Sequence, residues 1–274
     1  LDLAARVCAS LHDIPALARA VEIGPSPWAT RDASAWRSFR DLGEKQRVGL
    51  EFAEQFGLDV SALTDALRAS LLQTFGDAAG VWGQAVYVAD VIPRARFVLD
   101  RLFGPSATNG SPASPATPPT IWAAIEELIR VVPGLQGLDP VTTELVRLRC
   151  ARQHNCRVCR SLRSRSAMLA GANDDTFEAI DTYRTSDLPD AVKAALAFTD
   201  SFIWTPGRLE DEEITALRAH FSPAQQVELV LDIARNATNK FAVSLAADET
   251  DVTEGYAIYD VAADGSIRYG LSRP

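Results

Sequence analysis

The stretch ELVRLRCARQHNCRVCRSLRSRSAMLAG, residues 144–171, holds three of the chain's four cysteines, two of them in Cys156-Arg157-Val158-Cys159. No acidic residue occurs from Leu145 to Asn173, although the chain carries 36 acidic and 27 basic residues. Seven arginines fall in the stretch: Arg147, Arg149, Arg152, Arg157, Arg160, Arg163 and Arg165. Nearby positive charge lowers the pKa of a cysteine thiol from its usual ~8.5 and so favours the reactive thiolate. The local excess of arginine therefore predicts a redox-active dithiol.

Helix signals around the cysteines indicate how this stretch folds. Asp139-Pro140 is typical of an N-cap followed by proline at the first helical position, so we expect a helix from Pro140. Asn155 is expected to end that helix or to cap the next one, which places Cys156 in a first turn. Cys159 then lies one turn further on, close enough to form a disulfide with Cys156.

The spacing of five residues resembles the pattern E-x11-C-x-x-C-x7-A-x3-G of the alkylhydroperoxidase D-like branch of the carboxymuconolactone decarboxylase superfamily. The five residues are Glu144, Cys156, Cys159, Ala167 and Gly171. Downstream, Phe221-Ser222-Pro223 and Asn236-x2-Asn239-Lys240-Phe241 look like the closing helix of that family. The resemblance covers residues 120–248, and the spaced glutamate makes it more specific than C-x-x-C alone.

The resemblance implies an activity and a role for each site residue. Cys159 would attack a peroxide and pass through a sulfenic acid, Cys156 would donate a proton and close the disulfide, and Glu144 would belong to the proton relay. The implied partners are a hydroperoxide or disulfide substrate and an external thiol reductant, and no bound cofactor is implied. Because single-repeat relatives assemble as trimers or hexamers, the resemblance also implies a homo-oligomer.

The sequence departs from the family at two histidine positions. Arg163 stands where the family has histidine four residues after the second cysteine, and Val158 replaces a histidine between the cysteines. Arginine cannot accept a proton at working pH, since its pKa exceeds ~12. Activation is then expected to be electrostatic, supported by Arg163, Arg160 and Arg157, with His154 a candidate substitute for the missing histidine. Disulfide exchange tolerates this change better than peroxide reduction does.

Four other interpretations of these residues stay open. The cysteines can be buried apolar residues, and Glu144 can be an ordinary first-turn helix acid that the helix dipole stabilises. The arginine run can be a solvated helix face, paired with acids of the other half of the chain. Cys150, His154, Cys156 and Cys159 also supply four soft ligands of the kind that zinc accepts, although the surrounding positive charge opposes cation binding.

The composition limits the class of protein. With 47% hydrophobic and 23% charged residues, and no apolar run near the ~20 residues that a membrane helix needs, the chain is expected to be soluble. A net charge of −9 disfavours nucleic acid as a partner. Three clustered cysteines indicate a reactive site in a reducing compartment, so a cytoplasmic location is predicted.

The predicted fold is all-α, with two tandem helical repeats and a C-terminal β-hairpin. Residues 1–103 show apolar residues at helical spacing and form the first, degenerate repeat. Residues 104–119, GPSATNGSPASPATPP, predict a flexible linker without charge. Residues 120–248 form the repeat with the C-x-x-C, and the tail, 249–274, contains the hairpin around Asp264-Gly265.

An internal repeat supports this division. The pattern Phe-x3-Phe occurs at 52–56 and at 198–202, and a further phenylalanine follows the first by 23 residues in each copy. We align Arg6–His12 with Arg157–Arg163, which pairs Cys8 with Cys159. Because one thiol cannot close an intramolecular disulfide, we expect the first copy to be structural, with Cys8 in the core and His12 at the surface.

The sequence thus predicts a thiol–disulfide oxidoreductase or alkyl hydroperoxide reductase that uses Cys156 and Cys159. One alternative is a non-catalytic oligomeric module that has lost its site. The other is a non-redox enzyme of the lactone decarboxylase kind, whose relatives lack the C-x-x-C pair and use histidines that this chain does not show.

Overall fold

The computed structural model describes residues 1–14, 27–105, 120–262 and 265–274. The described residues form mostly helices and one small sheet. The helices are α1 (Asp2–Leu11), α2 (Glu44–Leu58), α3 (Asp65–Phe75), α4 (Ala79–Phe103), α5 (Ile121–Val131), α6 (Pro140–Gln153), α7 (Arg157–Arg160), α8 (Arg165–Leu169), α9 (Asp174–Glu178), α10 (Asp190–Trp204), α11 (Asp211–His220), α12 (Pro223–Asn236) and α13 (Lys240–Ser244). The strands are β1 (Leu162–Ser164), β2 (Ala257–Val261) and β3 (Ile267–Leu271). The mainly helical class and the C-terminal hairpin are therefore confirmed.

Local capping sets the ends of the helices that carry the site. Asp139 accepts hydrogen bonds from the backbone N–H groups of Val141 and Thr142, each at 3.0 Å, and so begins α6 as its sequence predicts. Ser222 caps α12 in the same way, with Pro223 in the first turn. Within the described residues, no helix has both the length and the apolar character needed to cross a bilayer.

The core is shared by residues from both sides of the predicted linker. Val98 and Leu102 of α4 belong to one apolar cluster with Val146 of α6 and Phe198 of α10. The Tyr87 hydroxyl of α4 also donates to the carbonyl of Ala234 in α12, at 2.7 Å. Helix α4 is thus buried among the helices that follow residue 120. Most of the predicted linker, 106–119, lies outside the described residues, and the division into two repeats stays a prediction.

The sheet contains one strand that the sequence does not predict. Strand β2 pairs antiparallel with β3, as expected for a hairpin, although Asp264 of its turn lies outside the described residues. Strand β1 pairs parallel with β2, with Leu162 opposite Ala257 and Ser164 opposite Tyr259. Three residues are too few to show strand periodicity. This pairing attaches the tail of the chain to the segment that follows the cysteines.

A buried charged cluster joins α4 to α13 and to the residue that follows α1. Asp90 of α4 bonds to Arg94 at 2.6 Å and to Lys240 at 2.9 Å, and all three side chains are almost completely buried. His12 joins the cluster, with its Nε2 atom 2.5 Å from an Arg94 nitrogen and 3.2 Å from the carbonyl oxygen of Gly57. The expectation that His12 lies at the surface is therefore wrong, because tertiary contacts with α4 cover it.

Candidate active site: the Cys156–Cys159 pair

The chain turns sharply before the cysteine pair. Helix α6 ends at Gln153, and Asn155 takes the left-handed conformation with φ of +51°, which asparagine tolerates better than most residues. The backbone N–H of Cys156 then donates to the carbonyl of Ala151 at 2.9 Å. Asn155 thus ends α6, as one of the two expectations had it, and Cys156 is the N-cap of the four-residue helix α7.

Cys156 and Cys159 form a disulfide, with their Cα atoms 5.3 Å apart. The N–H of Cys159 donates to the sulfur of Cys156 at 3.3 Å. Cys156 is completely buried, whereas 6% of Cys159 is exposed. Both belong to the apolar cluster that also contains Phe56, Tyr87 and Ala234. A molecule arriving from solvent therefore meets Cys159 first.

Asp248 holds the first turn of α7 in place. Its carboxylate accepts from the N–H of Arg157 at 2.7 Å, and its carbonyl accepts from the N–H of Val158 at 3.0 Å. It also forms an ion pair with the Arg157 guanidinium at 2.7 Å. Burial opposes ionisation, but the bonds from Arg157 outweigh it and lower the pKa of Asp248. Asp248 thus accepts from the first two N–H groups of α7, those of Arg157 and Val158. The next N–H group, that of Cys159, donates to the sulfur of Cys156.

Glu144 lies in a buried network rather than against a sulfur. Its carboxylate pairs with Arg147 at 2.6 and 2.8 Å, and it accepts from the Tyr259 hydroxyl at 2.8 Å and the Ser164 N–H at 3.0 Å. Arg147 donates in turn to the carbonyl of Cys159 at 2.8 Å. Burial and the neighbouring Glu144 carboxylate raise the pKa of Tyr259 despite the charge of Arg147, so its hydroxyl stays protonated. Glu144 thus contacts the cysteine segment through Arg147 and through backbone atoms.

Most of the arginines are neutralised by carboxylates, which contradicts the expectation of a free positive cluster around Cys159. The ion pairs are Arg147–Glu144, Arg149–Asp200, Arg152–Asp181 and Arg157–Asp248. In the described part of the chain, no arginine side chain hydrogen-bonds to either sulfur. The alternative of paired arginines describes this stretch better, although the four acids lie after residue 120 and not in the first half.

Arg163 and Arg160, two of the residues expected to support the thiols, bond elsewhere. The Arg163 guanidinium lies between the rings of Phe177 and Tyr256, 5.2 and 5.0 Å from their centres, and donates to the carbonyl of Arg160 at 2.8 Å. Arg160 donates to the side chain of Asn155 at 2.8 Å. Neither replaces the family histidine as a group that contacts a sulfur.

His154, the candidate substitute for the missing histidine, ends α6 and is buried. Only 5% of it is exposed, and its burial, together with the charges of Lys240 and Arg94, lowers its pKa to about 3. Its imidazole is therefore neutral near pH 7 and is influenced by the charged cluster around Asp90. The sequence did not reveal this environment because the neighbouring charges come from α4 and α13.

The zinc alternative receives no support from the arrangement of its four candidate ligands. Cys156 and Cys159 are bonded to each other, and Cys150 is a buried free thiol whose pKa is raised first by burial and then by Asp232. Among the residues that the structure describes, no three His, Cys, Asp or Glu side chains converge on a position for a metal ion.

Two residues that the sequence did not single out complete the site. Tyr259 bonds to Glu144 across 115 residues, and Asp248 bonds to Arg157 across 91 residues. Tyr259 lies in the predicted hairpin, but nothing in the hairpin pattern indicates that its hydroxyl meets a buried carboxylate. Asp248 is the last residue of the segment that resembles the family, and no other feature of the sequence pointed to it.

Two mycobacterial proteins are similar to this chain over most of its length. Uncharacterized protein MT2376 and Uncharacterized protein Rv2313c, from two strains of Mycobacterium tuberculosis, are each 42% identical to it over 234 residues. The match covers 82% of this chain and 81% of each relative. This chain belongs to their family. No protein-family model and no solved structure matches the chain. The names of these family members assign no activity, so the chemistry has to be argued from the site.

We expect Glu144→Gln to destabilise the fold by about 3–5 kcal/mol, because it leaves the Arg147 charge buried without a counter-charge. Tyr259→Phe should cost less, about 1.5–3 kcal/mol, since it removes one hydrogen bond to a charged group. Urea denaturation measures both values. Glu127→Gln, which breaks an exposed ion pair with Arg130, serves as the control and should leave stability unchanged. Equal effects of Glu144→Gln and Glu127→Gln would contradict the network.

Acidification should destabilise the protein partly through His154. Its pKa of about 3 in the folded state lies below the ~6.5 of an unfolded histidine, so the unfolded state binds more protons between these values. Stability from this residue is complete above pH ~6.5 and is lost as pH falls toward ~3. In the His154→Asn variant, the urea concentration of half-unfolding should therefore decrease less between pH 7 and pH 4 than in the unmodified protein. Replacing the exposed His220 with asparagine should leave this decrease as it is in the unmodified protein. An equal decrease in the two variants would contradict the role given to His154.

Proposed function

We propose that the chain resembles the alkylhydroperoxidase D-like family and acts as a thiol–disulfide oxidoreductase through Cys156 and Cys159. One observation carries the proposal: the two cysteines form a disulfide in which Cys159 is the less buried residue and the sulfur of Cys156 accepts the N–H of Cys159. An exchange-active disulfide needs an accessible sulfur to be attacked and a stabilised sulfur to leave. Cys159 meets the first requirement and Cys156 the second.

Reduction of the disulfide follows from this asymmetry. An external thiolate attacks the sulfur of Cys159, a bond forms between the two, and the bond to Cys156 breaks with its electron pair on Cys156. The N–H of Cys159, 3.3 Å from that sulfur in the disulfide, then donates to the new thiolate. A second external thiolate attacks the mixed disulfide, so two external thiols become one external disulfide and the protein gains two electrons.

Hydroperoxide reduction is the proposed second half of a cycle. The Cys159 thiolate attacks the peroxide to give a sulfenic acid and an alcohol, and Cys156 displaces water from the sulfenic acid as the disulfide closes. This step requires a proton for the departing alkoxide, and no side chain of the described residues hydrogen-bonds to either sulfur. Exchange is therefore the better-supported reaction, and the peroxide step depends on a proton from water.

Glu144 and Arg147 act as positioning residues in this proposal. Arg147 donates to the carbonyls of Cys159 and Leu162, both at 2.8 Å, and Glu144 fixes its guanidinium. Together they hold the C-terminal end of α7 against α6 while the disulfide opens and closes. The proton-relay role that the resemblance implies for Glu144 has no hydrogen-bonded path to a sulfur among the described residues.

We also propose that the chain contains two copies of one helical unit, in a register that differs from the sequence alignment. Residues 6–12 lie mostly in α1, whereas residues 157–163 cover α7, a turn and β1, so these two segments differ in secondary structure. A different match fits the elements better: Cys8-Ala9-x-x-His12-Asp13 with Cys150-Ala151-x-x-His154-Asn155. Asp13 and Asn155 both have φ of 51° after the helix.

Helix order supports this register. Helix α2, a short 3-10 turn and α3 precede the long α4, as α10, a short 3-10 turn and α11 precede α12. In this register Ile14 and Leu17 stand where the second copy has Cys156 and Cys159. The first copy therefore has no thiol pair, and we propose a structural role for it. By analogy with single-repeat relatives, we propose a cytoplasmic homo-oligomer.

A non-catalytic module is the second candidate function, and the burial of the sulfurs favours it. Cys156 has no exposed surface, and the four paired arginines do little to stabilise a thiolate. In this second function, the disulfide stabilises the turn between α6 and β1 and takes no part in exchange.

Trapping a mixed disulfide separates the two functions. In the Cys156→Ser variant, oxidised glutathione should leave one glutathione on Cys159, because the neighbouring thiol that would displace it has been removed and the free thiols of Cys8 and Cys150 are buried. Cys159→Ser should give little adduct in the same time, since the remaining thiol is fully buried. Intact mass measures both, and Cys150→Ser is the matched control, expected to close its disulfide as the unmodified protein does. Failure of Cys156→Ser to form an adduct, or equal adducts on both variants, would favour the module.

A further inference from the structure

An open cavity of about 430 Å³ lies beside α7 and the turn that follows it. Four arginines line it, together with Ser161 and Asp181: Arg152, Arg157, Arg160 and Arg163. None of these residues takes part in the exchange chemistry proposed for the cysteines. In a chain with a net charge of −9, a cavity with this many guanidinium groups is a local reversal of sign.

Two of the four positive charges are neutralised and two are not. Arg152 pairs with Asp181, and Arg157 pairs with Asp248. Within the described residues, Arg160 and Arg163 form no ion pair, since their guanidinium groups bond to the Asn155 side chain and to backbone carbonyls. The pKa of Arg152 is lowered by burial and then by the charges of Arg163 and Arg160, which agrees with positive groups crowded together.

Arg163 is already held in a fixed position. Two aromatic rings enclose its guanidinium, and its Nη1 atom donates to the carbonyls of Arg160 and Leu162, both at 2.8 Å. Its Nε atom is buried without a hydrogen-bond partner. A guanidinium group that is already fixed binds an anion at a smaller entropic cost than a free surface arginine does.

We propose that this cavity binds the phosphate group of a small phosphorylated organic molecule. Two guanidinium groups that form no ion pair among the described residues match the charge of a phosphate dianion, and the guanidinium fork matches its oxygen geometry. The volume lies within the ~300–1,000 Å³ of small-molecule sites, so it has room for an organic group beyond the phosphate. Ser161 and Gly255, which also line the cavity, are small and uncharged and leave space beside the phosphate for that group. This binding does not require the disulfide to be redox-active.

Calorimetric titration with phenyl phosphate at low salt tests the proposal. We expect saturable binding, weakened about tenfold or more in Arg160→Gln and in Arg163→Gln. Arg165→Gln is the matched control, because Arg165 belongs to the same arginine-rich stretch but does not line the cavity, and it should bind as the unmodified protein does. Asp181→Asn should bind more tightly, since it removes the acidic group of the cavity and releases Arg152.

The choice of ligands and variants makes each outcome decisive. Inorganic phosphate and benzoate should bind more weakly than phenyl phosphate, the first because it lacks the organic group and the second because it carries one charge. Arg160 is exposed, so its replacement is compatible with folding even if Arg163→Gln is not. Absence of saturable binding, unchanged binding in both Arg160→Gln and Asp181→Asn, or benzoate as tight as phenyl phosphate would overturn the proposal. Cys159→Ser should bind phenyl phosphate normally, so the exchange proposal and this one fail independently.

Discussion

The buried ion pair between Glu144 and Arg147 joins four elements of this protein. Glu144 accepts from the N–H of Ser164 in β1 and from the hydroxyl of Tyr259 in β2, while Arg147 donates to the carbonyl oxygens of Cys159 and Leu162. A charge is costly to bury without partners, and here each partner of the pair has several. The pair therefore fixes α6, α7 and both strands relative to one another, and the position of the disulfide follows from it.

The position of the cysteines, rather than the positive charge around them, determines their chemistry in this protein's proposed reaction. The abundance of arginine suggested that positive charge activates Cys159, but carboxylates pair with most of those arginines. What the site provides instead is geometry: a turn that leaves Cys159 slightly less buried than Cys156 and directs the N–H of Cys159 at the sulfur of Cys156. Such an arrangement stabilises a leaving thiolate on Cys156 and suits exchange better than direct attack on a peroxide. Two of the three arginines of the stretch that form no ion pair among the described residues, Arg160 and Arg163, line a separate cavity.

The sequence predicts features that depend on neighbours along the chain. Asp139-Pro140 and Ser222-Pro223 begin helices because a capping side chain acts within three residues, and Asn155 ends α6 because it tolerates a left-handed turn. The hairpin after residue 256 was equally predictable from its alternation and its turn residues. The C-x-x-C spacing also places its two sulfurs within bonding distance.

Features that depend on distant contacts were not predictable. The acids that pair with Arg152 and Arg157 lie 29 and 91 residues away in the sequence, so the residues around these arginines do not identify them. The same holds for the histidines. His12 and His154 end their helices, where surface exposure is common, but α4 covers His12, and charges from α4 and α13 act on His154. Residues 6–12 and 157–163 have similar sequences but fold into different elements, so local similarity did not predict their structure. The register that we propose instead relies on helix order and backbone conformation.

A redox titration of the Cys156–Cys159 couple tests the central claim most directly. The protein would be equilibrated with defined ratios of reduced and oxidised dithiothreitol or glutathione, and the fraction of free thiol at these two residues measured by alkylation and mass analysis. An exchange-active disulfide should titrate reversibly as a two-electron couple with a potential above about −300 mV, in the range of catalytic dithiols. A couple that resists reduction until well below about −300 mV, or is reduced only when the protein unfolds, would show that the disulfide is structural and would contradict this account.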